Sequence, residues 1–285
     1  MTTQRNPAAL AWPDLVWSHF SRPRFGHFDE RLAAAASAGF SAIGLYVWEF
    51  ERLVNEEGRT ATQIAATLDQ HGLCVGEIEA LKNWAATDGA DADEFERGAD
   101  LAIAMADGIG ARYLQVIGPY DCPFEQAVDA FGRLCDRMAP YGLLVGVEWL
   151  PYTNIADEAD ALRLVQATGR TNAGFCADIW HHVRGANDRA LLRALPAERI
   201  FAVQMNDGPM SPTLDDYKAD CMATRVPPGD GEFDCVGFVQ TLREMGVTAP
   251  ISVEIASTAL WQLPAAESAR LGADGMRTVL QAAGV

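Results

Sequence analysis

The sequence predicts an α/β fold, a (β/α)8 barrel forming one domain over residues 1–285. Three observations predict it. Eight short apolar runs recur along the chain, and longer amphipathic segments separate them. Several runs are apolar almost throughout, as parallel strands covered on both faces must be. No linker rich in Pro, Gly or Ser divides the chain, and 285 residues is an ordinary size for one such barrel. An open doubly wound sheet is the competing arrangement. It lacks the GxGxxG or GxxxxGK[ST] turn that would follow a strand.

In order, the expected strands are LVWSH (15–19), AIGLY (42–46), CVGEIE (74–79), YLQVIG (113–118), LLVGVEW (143–149), AGFCAD (173–178), IFAVQM (200–205) and ISVEI (251–255). The expected helices cover 29–40, 59–73, 93–110, 124–143, 157–169, about 188–195, about 236–245 and roughly 263–283. Acidic starts and glycine stops mark many of them, which suits the helix dipole and the left-handed C-cap. The longest irregular stretch, 206–234, comes after strand seven. A loop of that length in a compact domain carries function or moves.

The composition excludes several roles. Net charge is −17, from 22 basic and 39 acidic residues, with no basic run. Nucleic acid and anionic membranes are therefore not expected partners. Nothing resembles a membrane span or a secretory signal, and six cysteines without a CxxC pair read as reduced thiols of a cytoplasmic protein.

In such a barrel the site lies at the C-terminal ends of the strands. Strand five delivers Glu148, strand six Asp178, with His181 three residues on, and strand eight Glu254. Strand seven delivers Gln204, then Asn206 and Asp207; strand three offers Glu77 and Glu79, with Lys82 beyond. Each alone has an ordinary structural reading. Together, three carboxylates embedded in apolar sequence at equivalent strand ends would repel one another, and a divalent cation removes that cost. Glu148, Asp178, Gln204 and Glu254 form the expected ligand set, with Asn206 and Asp207 supporting it or capping the next segment of chain. Hard oxygen donors favour Mn²⁺ or Mg²⁺, with Co²⁺ as a further choice. No organic cofactor motif is present.

Aromatic residues crowd the same inferred mouth: Tyr46, Trp48, Trp84, Tyr120, Trp149, Tyr152, Trp180 and Trp261. Trp48, Trp84 and Trp180 are the candidates for flat walls against a sugar ring or cyclitol. Loop packing is the ordinary alternative for each. The turn after strand eight, ASTALW, offers little for a phosphate, so an unphosphorylated substrate is expected. Lys82 could serve a Schiff-base aldolase, but a solvated loop lysine is the simpler reading.

At GVEWLP, the D-x-x-H of DIWHH, the end of strand seven, RVPPGDGEFD (225–234) and SVEI, the sequence resembles the xylose-isomerase-like TIM barrel family. FDERLAAAASAGFSAIGL (28–45) matches that family's first helix and second strand, so the resemblance covers nearly the whole chain. It implies that Glu148 and Glu254 are metal ligands that also act as the acid/base pair, and that Asp178 is a ligand. It implies substrate contacts from His181 and Arg225, and a turn at Gly229 and Gly231. Two positions depart from the pattern. Gln204 stands where the family usually has His, a feature shared with some dehydratases acting on 3-dehydroshikimate, and Gly44 stands where strand two often ends in Glu.

The implied reaction is isomerase or epimerase chemistry: proton abstraction beside the carbonyl of a keto-sugar or cyclic polyol ketone, through an enediolate. A dehydratase of the 3-dehydroshikimate or inosose type would use the same site, and a non-catalytic ligand-binding barrel is the third reading. A DNA-repair endonuclease shares the fold, but five histidines and the acidic charge oppose it. A homo-oligomer is implied by analogy only.

Overall fold

The computed structural model describes residues 6–23, 27–119 and 121–285. Eight strands close into one parallel barrel in sequence order: β1 (Leu15–Trp17), β2 (Ala42–Tyr46), β3 (Cys74–Leu81), β4 (Tyr113–Ile117), β5 (Leu144–Glu148), β6 (Ala173–Asp178), β7 (Ile200–Met205) and β8 (Ile251–Val253). β1 pairs with both β2 and β8, so no edge remains open.

The helices among the described residues are α1 (Phe28–Ser37), α2 (Val47–Asn55), α3 (Ala61–Gln70), α4 (Gly89–Ile109), α5 (Phe124–Met138), α6 (Glu158–Thr168), α7 (Ile179–Val183), α8 (Arg189–Ala194), α9 (Tyr217–Cys221), α10 (Cys235–Met245) and α11 (Ala265–Ala282). Gly110 and Gly169 close α4 and α6 at φ of 75° and 66°, a conformation that side chains with a Cβ rarely adopt. The core between barrel and helices holds Leu32, Ile43, Leu45, Phe131, Phe175 and Phe238, all buried. The six cysteines are buried thiols. No described helix is long and apolar enough to cross a membrane.

Several elements differ from expectation: β3 runs on to Leu81, β8 ends at Val253, α7 follows β6 directly, and three further differences have a local cause. β1 stops at Trp17 because Ser18 caps a short 3-10 turn over His19–Ser21, its hydroxyl accepting from Phe20 N–H at 3.1 Å. α2 continues from β2 without a break. Its buried face, Val47, Phe50 and Leu53, has a spacing of three, but no glycine, proline or capping side chain marks its start. The 206–234 segment is not free loop. It contains α9, an isolated antiparallel bridge of Asp207 with Val226 folds it back on itself, and a second, Thr224 with Ser257, ties it to the chain after β8.

Candidate metal and catalytic site

Strand register brings the polar residues to one end. Asp178 lies beside Gln204 in the β6–β7 ladder, Gln204 beside Ser252 in β7–β8, and Glu148 beside Cys176 in β5–β6. Glu254 comes directly after the last residue of β8. Side chains two apart on a strand share a face, so Glu148, Asp178, Gln204 and Glu254 all enter the same closed mouth, and all are buried.

Glu148, Asp178 and His181 each present one ligand atom, and these atoms lie within 4.8 Å of one another. His181 Nε2 is 3.3 Å from Glu148 Oε1 and 3.7 Å from Asp178 Oδ2. His181 thus stands among the ligand atoms as well as lining the cavity. Gln204 is one bond further in. Its Nε2 donates to Gln115 Oε1 at 3.2 Å and to Glu254 Oε1 at 3.4 Å, while Gln115 Nε2 donates to Gln204 Oε1 at 3.3 Å and to Glu148 Oε2 at 2.7 Å. Gln115, a polar side chain inside the apolar run of β4, therefore joins Glu148 to Gln204. The sequence reading does not single it out, although its isolation in YLQVIG is the available signal.

Arg225 draws two of the acids together. Its Nη1 donates to Glu254 Oε2 at 2.6 Å and to Asp178 Oδ2 at 3.1 Å, and its Nε to Cys221 O at 3.1 Å. Asp178 divides its oxygens. Oδ1 caps α7 by accepting from Trp180 N–H at 2.8 Å and accepts from Asn206 Nδ2 at 2.9 Å, which leaves Oδ2 for the site. Asp207 instead organises the returning loop, accepting from the backbone N–H groups of Gly208, Gly229 and Phe233. A Cβ on Gly231 would come within 2.3 Å of that carboxylate, so the glycine is a packing requirement.

The electrostatics suit a divalent cation. Burial, then the neighbouring Glu254 and Asp178 charges, holds the Glu148 carboxyl well above the ordinary range. Burial pushes Glu254 up to about 8, against the opposing pull of Arg225. Asp178 goes the other way: burial raises it, but Arg225, His181 and its hydrogen bonds outweigh that and leave it low. Burial takes His181 down to about 3, so its imidazole is neutral. A neutral ring has one proton. Tyr217 OH, 2.9 Å from Nδ1, accepts that proton whenever Nε2 serves as a ligand. With His181 neutral, Arg225 offsets one of the three carboxylates, and a divalent ion would offset the two charges that appear as Glu148 and Glu254 release their protons.

These shifts imply a pH dependence for the metal-free protein. Between about 4.5 and about 8 the folded chain keeps a proton on Glu254 that the unfolded chain has released. Stability is therefore expected to fall as pH rises through that window and to level above it, while Mn²⁺ affinity rises as the carboxylates give up their protons. Thermal melts in EDTA and Mn²⁺ titrations at pH 5, 6.5 and 8 check both slopes.

A cavity of about 180 Å³ opens above these groups, lined by Gln115, Glu148, His181, Arg225 and Glu254, with Phe20, Tyr46 and Tyr152 as aromatic walls. Lys82 reaches its rim, half-exposed and 3.6 Å from Glu94. The three candidate tryptophans are not among the lining residues. Trp84 packs on Phe131 behind the barrel and donates to Ile117 O at 3.0 Å. Trp180 is buried against Phe233, with Arg184 and Arg225 over its ring. Trp48 lies under Arg97, 4.6 Å from the ring centre. Trp149 is fully buried, Trp261 donates to Phe20 O at 3.3 Å, and Tyr120 lies outside the described residues.

Comparison with known proteins gives a consistent neighbourhood. The family model described as xylose isomerase-like TIM barrel matches residues 32–279. A 3-dehydroshikimate dehydratase of Pseudomonas putida is 26% identical over 268 residues, covering 90% of this chain and 40% of its own length. An inosose isomerase of Halalkalibacterium halodurans is 28% identical over 155 residues, 53% of this chain and 52% of its own length. The chain thus spans about half or less of the curated relatives it matches. Among solved structures, that of the IOLI protein with a binding zinc atom superposes with a TM-score of 0.82 at 18% identity, over 95% of this chain and 98% of that one.

Proposed function

Since the chain belongs to the xylose isomerase-like TIM barrel family, we propose that it is a divalent-metal-dependent enzyme of isomerase or epimerase type, removing a proton beside the carbonyl of a keto-sugar or cyclic polyol ketone. The observation that carries this reading is the buried set Glu148, Asp178 and His181, with Gln204, Glu254 and Arg225 bonded around it. Glu148, Asp178, Gln204 and Glu254 would hold the ion, with His181 as an additional nitrogen donor in reach. A bound divalent ion supplies Lewis-acid polarisation of the substrate carbonyl. The hard oxygen set favours Mn²⁺ or Mg²⁺, and one nitrogen donor keeps zinc open, the metal in the IOLI structure.

The chain's own residues do the rest. Glu254, ionised, would take the proton from the carbon, and Glu148, from β5 three strands round the barrel, would return one. Arg225 and His181 hold substrate oxygens. Tyr46, Phe20 and Tyr152 exclude water from the upper cavity. A dehydratase is the second reading, in which the same proton loss is succeeded by expulsion of a β-hydroxyl. Gln204 at the ligand position and the dehydratase relatives that match 90% of this chain favour it.

The test starts with metal content of the natively purified protein beside Gln204→Ala. One equivalent of a divalent ion, bound more weakly by the variant, is the expected result. Keto-sugars, inososes and 3-dehydroshikimate are then monitored in deuterated water. Deuterium uptake with conserved mass formula marks isomerase or epimerase action, and loss of water marks the dehydratase. Failure to bind any metal, even with Mn²⁺ added, would leave a ligand-binding barrel.

A further inference from the structure

β2 carries no side chain at Gly44, and the space is not empty. A Cβ built there would lie 1.5 Å from Glu79 Oε1 and 2.6 Å from Glu79 Cδ. The carboxylate that fills this place comes from β3, one strand away, and is fully buried. Its Oε1 accepts from the backbone N–H of His19 at 3.0 Å, and its Oε2 accepts from Ser18 Oγ at 3.0 Å. The Ser18 hydroxyl is also 3.4 Å from Glu254 Oε1. A path therefore runs Glu79, Ser18, Glu254, in which the hydroxyl gives its one proton to one carboxylate and accepts from the other when that one is protonated.

The path has two anchors. Arg31, buried beneath β2, donates to Gly44 O at 2.7 Å and Trp17 O at 2.9 Å, and its charge opposes that of Glu79. At the other end Glu254 is held on both oxygens: Arg225 takes Oε2, while Ser18 and Gln204 reach Oε1. Without Ser18, the Oε1 side would rest on the 3.4 Å contact from Gln204 alone among the described residues.

We propose that Glu79 is a positioning residue: from β3, in the room that Gly44 leaves on β2, it fixes Ser18 and through Ser18 the Oε1 side of the Glu254 carboxylate. The inference rests on Glu254 being a metal ligand and base. The competing role for Glu79 is structural, as counter-charge to Arg31. Ser18 separates the two, because it links Glu79 to Glu254 and has no hydrogen bond to Arg31. Supports of this kind change metal affinity or activity by about 10–100-fold when removed.

The test is calorimetric titration with Mn²⁺ alone of wild type, Glu79→Gln, Ser18→Ala, Ser18→Thr and the Glu79→Gln/Ser18→Ala double variant, with melts in EDTA alongside. The expected result is about tenfold weaker Mn²⁺ binding in each of Glu79→Gln and Ser18→Ala. The double variant should bind no more weakly than the weaker single one, since both cut one path. Ser18→Thr should restore wild-type affinity. With an active substrate in hand, the same variants should lower kcat and leave KM near its wild-type value. Wild-type affinity in Ser18→Ala, with Glu79→Gln losing melting temperature, would overturn the inference and leave Glu79 as Arg31's counter-charge. Wild type that binds no Mn²⁺ would instead overturn the metal-site reading itself, a distinct outcome.

Discussion

Glu254→Gln is expected to abolish turnover while leaving the fold intact. The loss in kcat should be at least about a thousandfold, within the range that a positioned general base contributes. Glutamine keeps the size of the side chain and an oxygen that can accept from Arg225, now 2.6 Å away. It loses the basic carboxylate. The wild-type group is buried yet bonded to Arg225, with its proton affinity near neutrality, which is where a base is most effective. Removing a buried acid from a cluster of three also relieves repulsion, so the melting temperature in EDTA should hold or rise. Because Glu254 is also a proposed ligand, turnover must be measured with Mn²⁺ in excess. Activity above about a tenth of wild type under those conditions would exclude Glu254 as the base.

Much of this arrangement is readable in the residues. Every one of the eight apolar runs is a strand, because a parallel strand covered on both faces needs nearly continuous apolar sequence. The same logic makes Glu148, Asp178, Gln204 and Glu254 conspicuous: a polar group closing such a run must be bonded or functional. Asn206 and Asp207 divide the two roles expected of them, one bracing Asp178 and the other capping the loop. Side-chain direction is not readable in the same way. Position after a strand puts three tryptophans near the mouth, but Trp84 turns back onto Phe131 and Trp180 down onto Phe233. Tertiary packing decides that choice, and local sequence does not encode it. Ser18 and Gln115 escape a sequence reading because neutral polar residues in or just after short strands are common and gain meaning only from partners distant in sequence. Gly44 marks the opposite case. Its missing side chain is legible, but the carboxylate occupying the gap lies 35 positions on in sequence, a pairing visible only after the strands are assembled.

Arg225→Met should produce the largest loss of stability, and one that metal partly reverses. The guanidinium is buried, and its Nη1 alone bonds both Asp178 and Glu254. Methionine fills similar volume but leaves those two carboxylates, with Glu148 close to Asp178 through His181, without a fixed positive charge. Breaking a buried ion pair from one side costs about 3–5 kcal/mol, because the partner stays behind uncompensated. In EDTA the variant should melt well below wild type, and most steeply at high pH, where Glu254 can no longer shed charge by holding a proton. Mn²⁺ should then raise its melting temperature more than it raises that of wild type, since the ion supplies the charge the variant lacks. Arg225→Lys should fall between the two: it keeps the charge but not the further donors that bond Cys221 and fix the side chain, Nε to its carbonyl and Nη2 to its sulfur. Equal melting of wild type and Arg225→Met in EDTA would mean that the carboxylates are already neutralised by protons. In that case the metal would have to displace those protons rather than fill an existing deficit of charge, and its affinity would climb steeply with pH in both proteins.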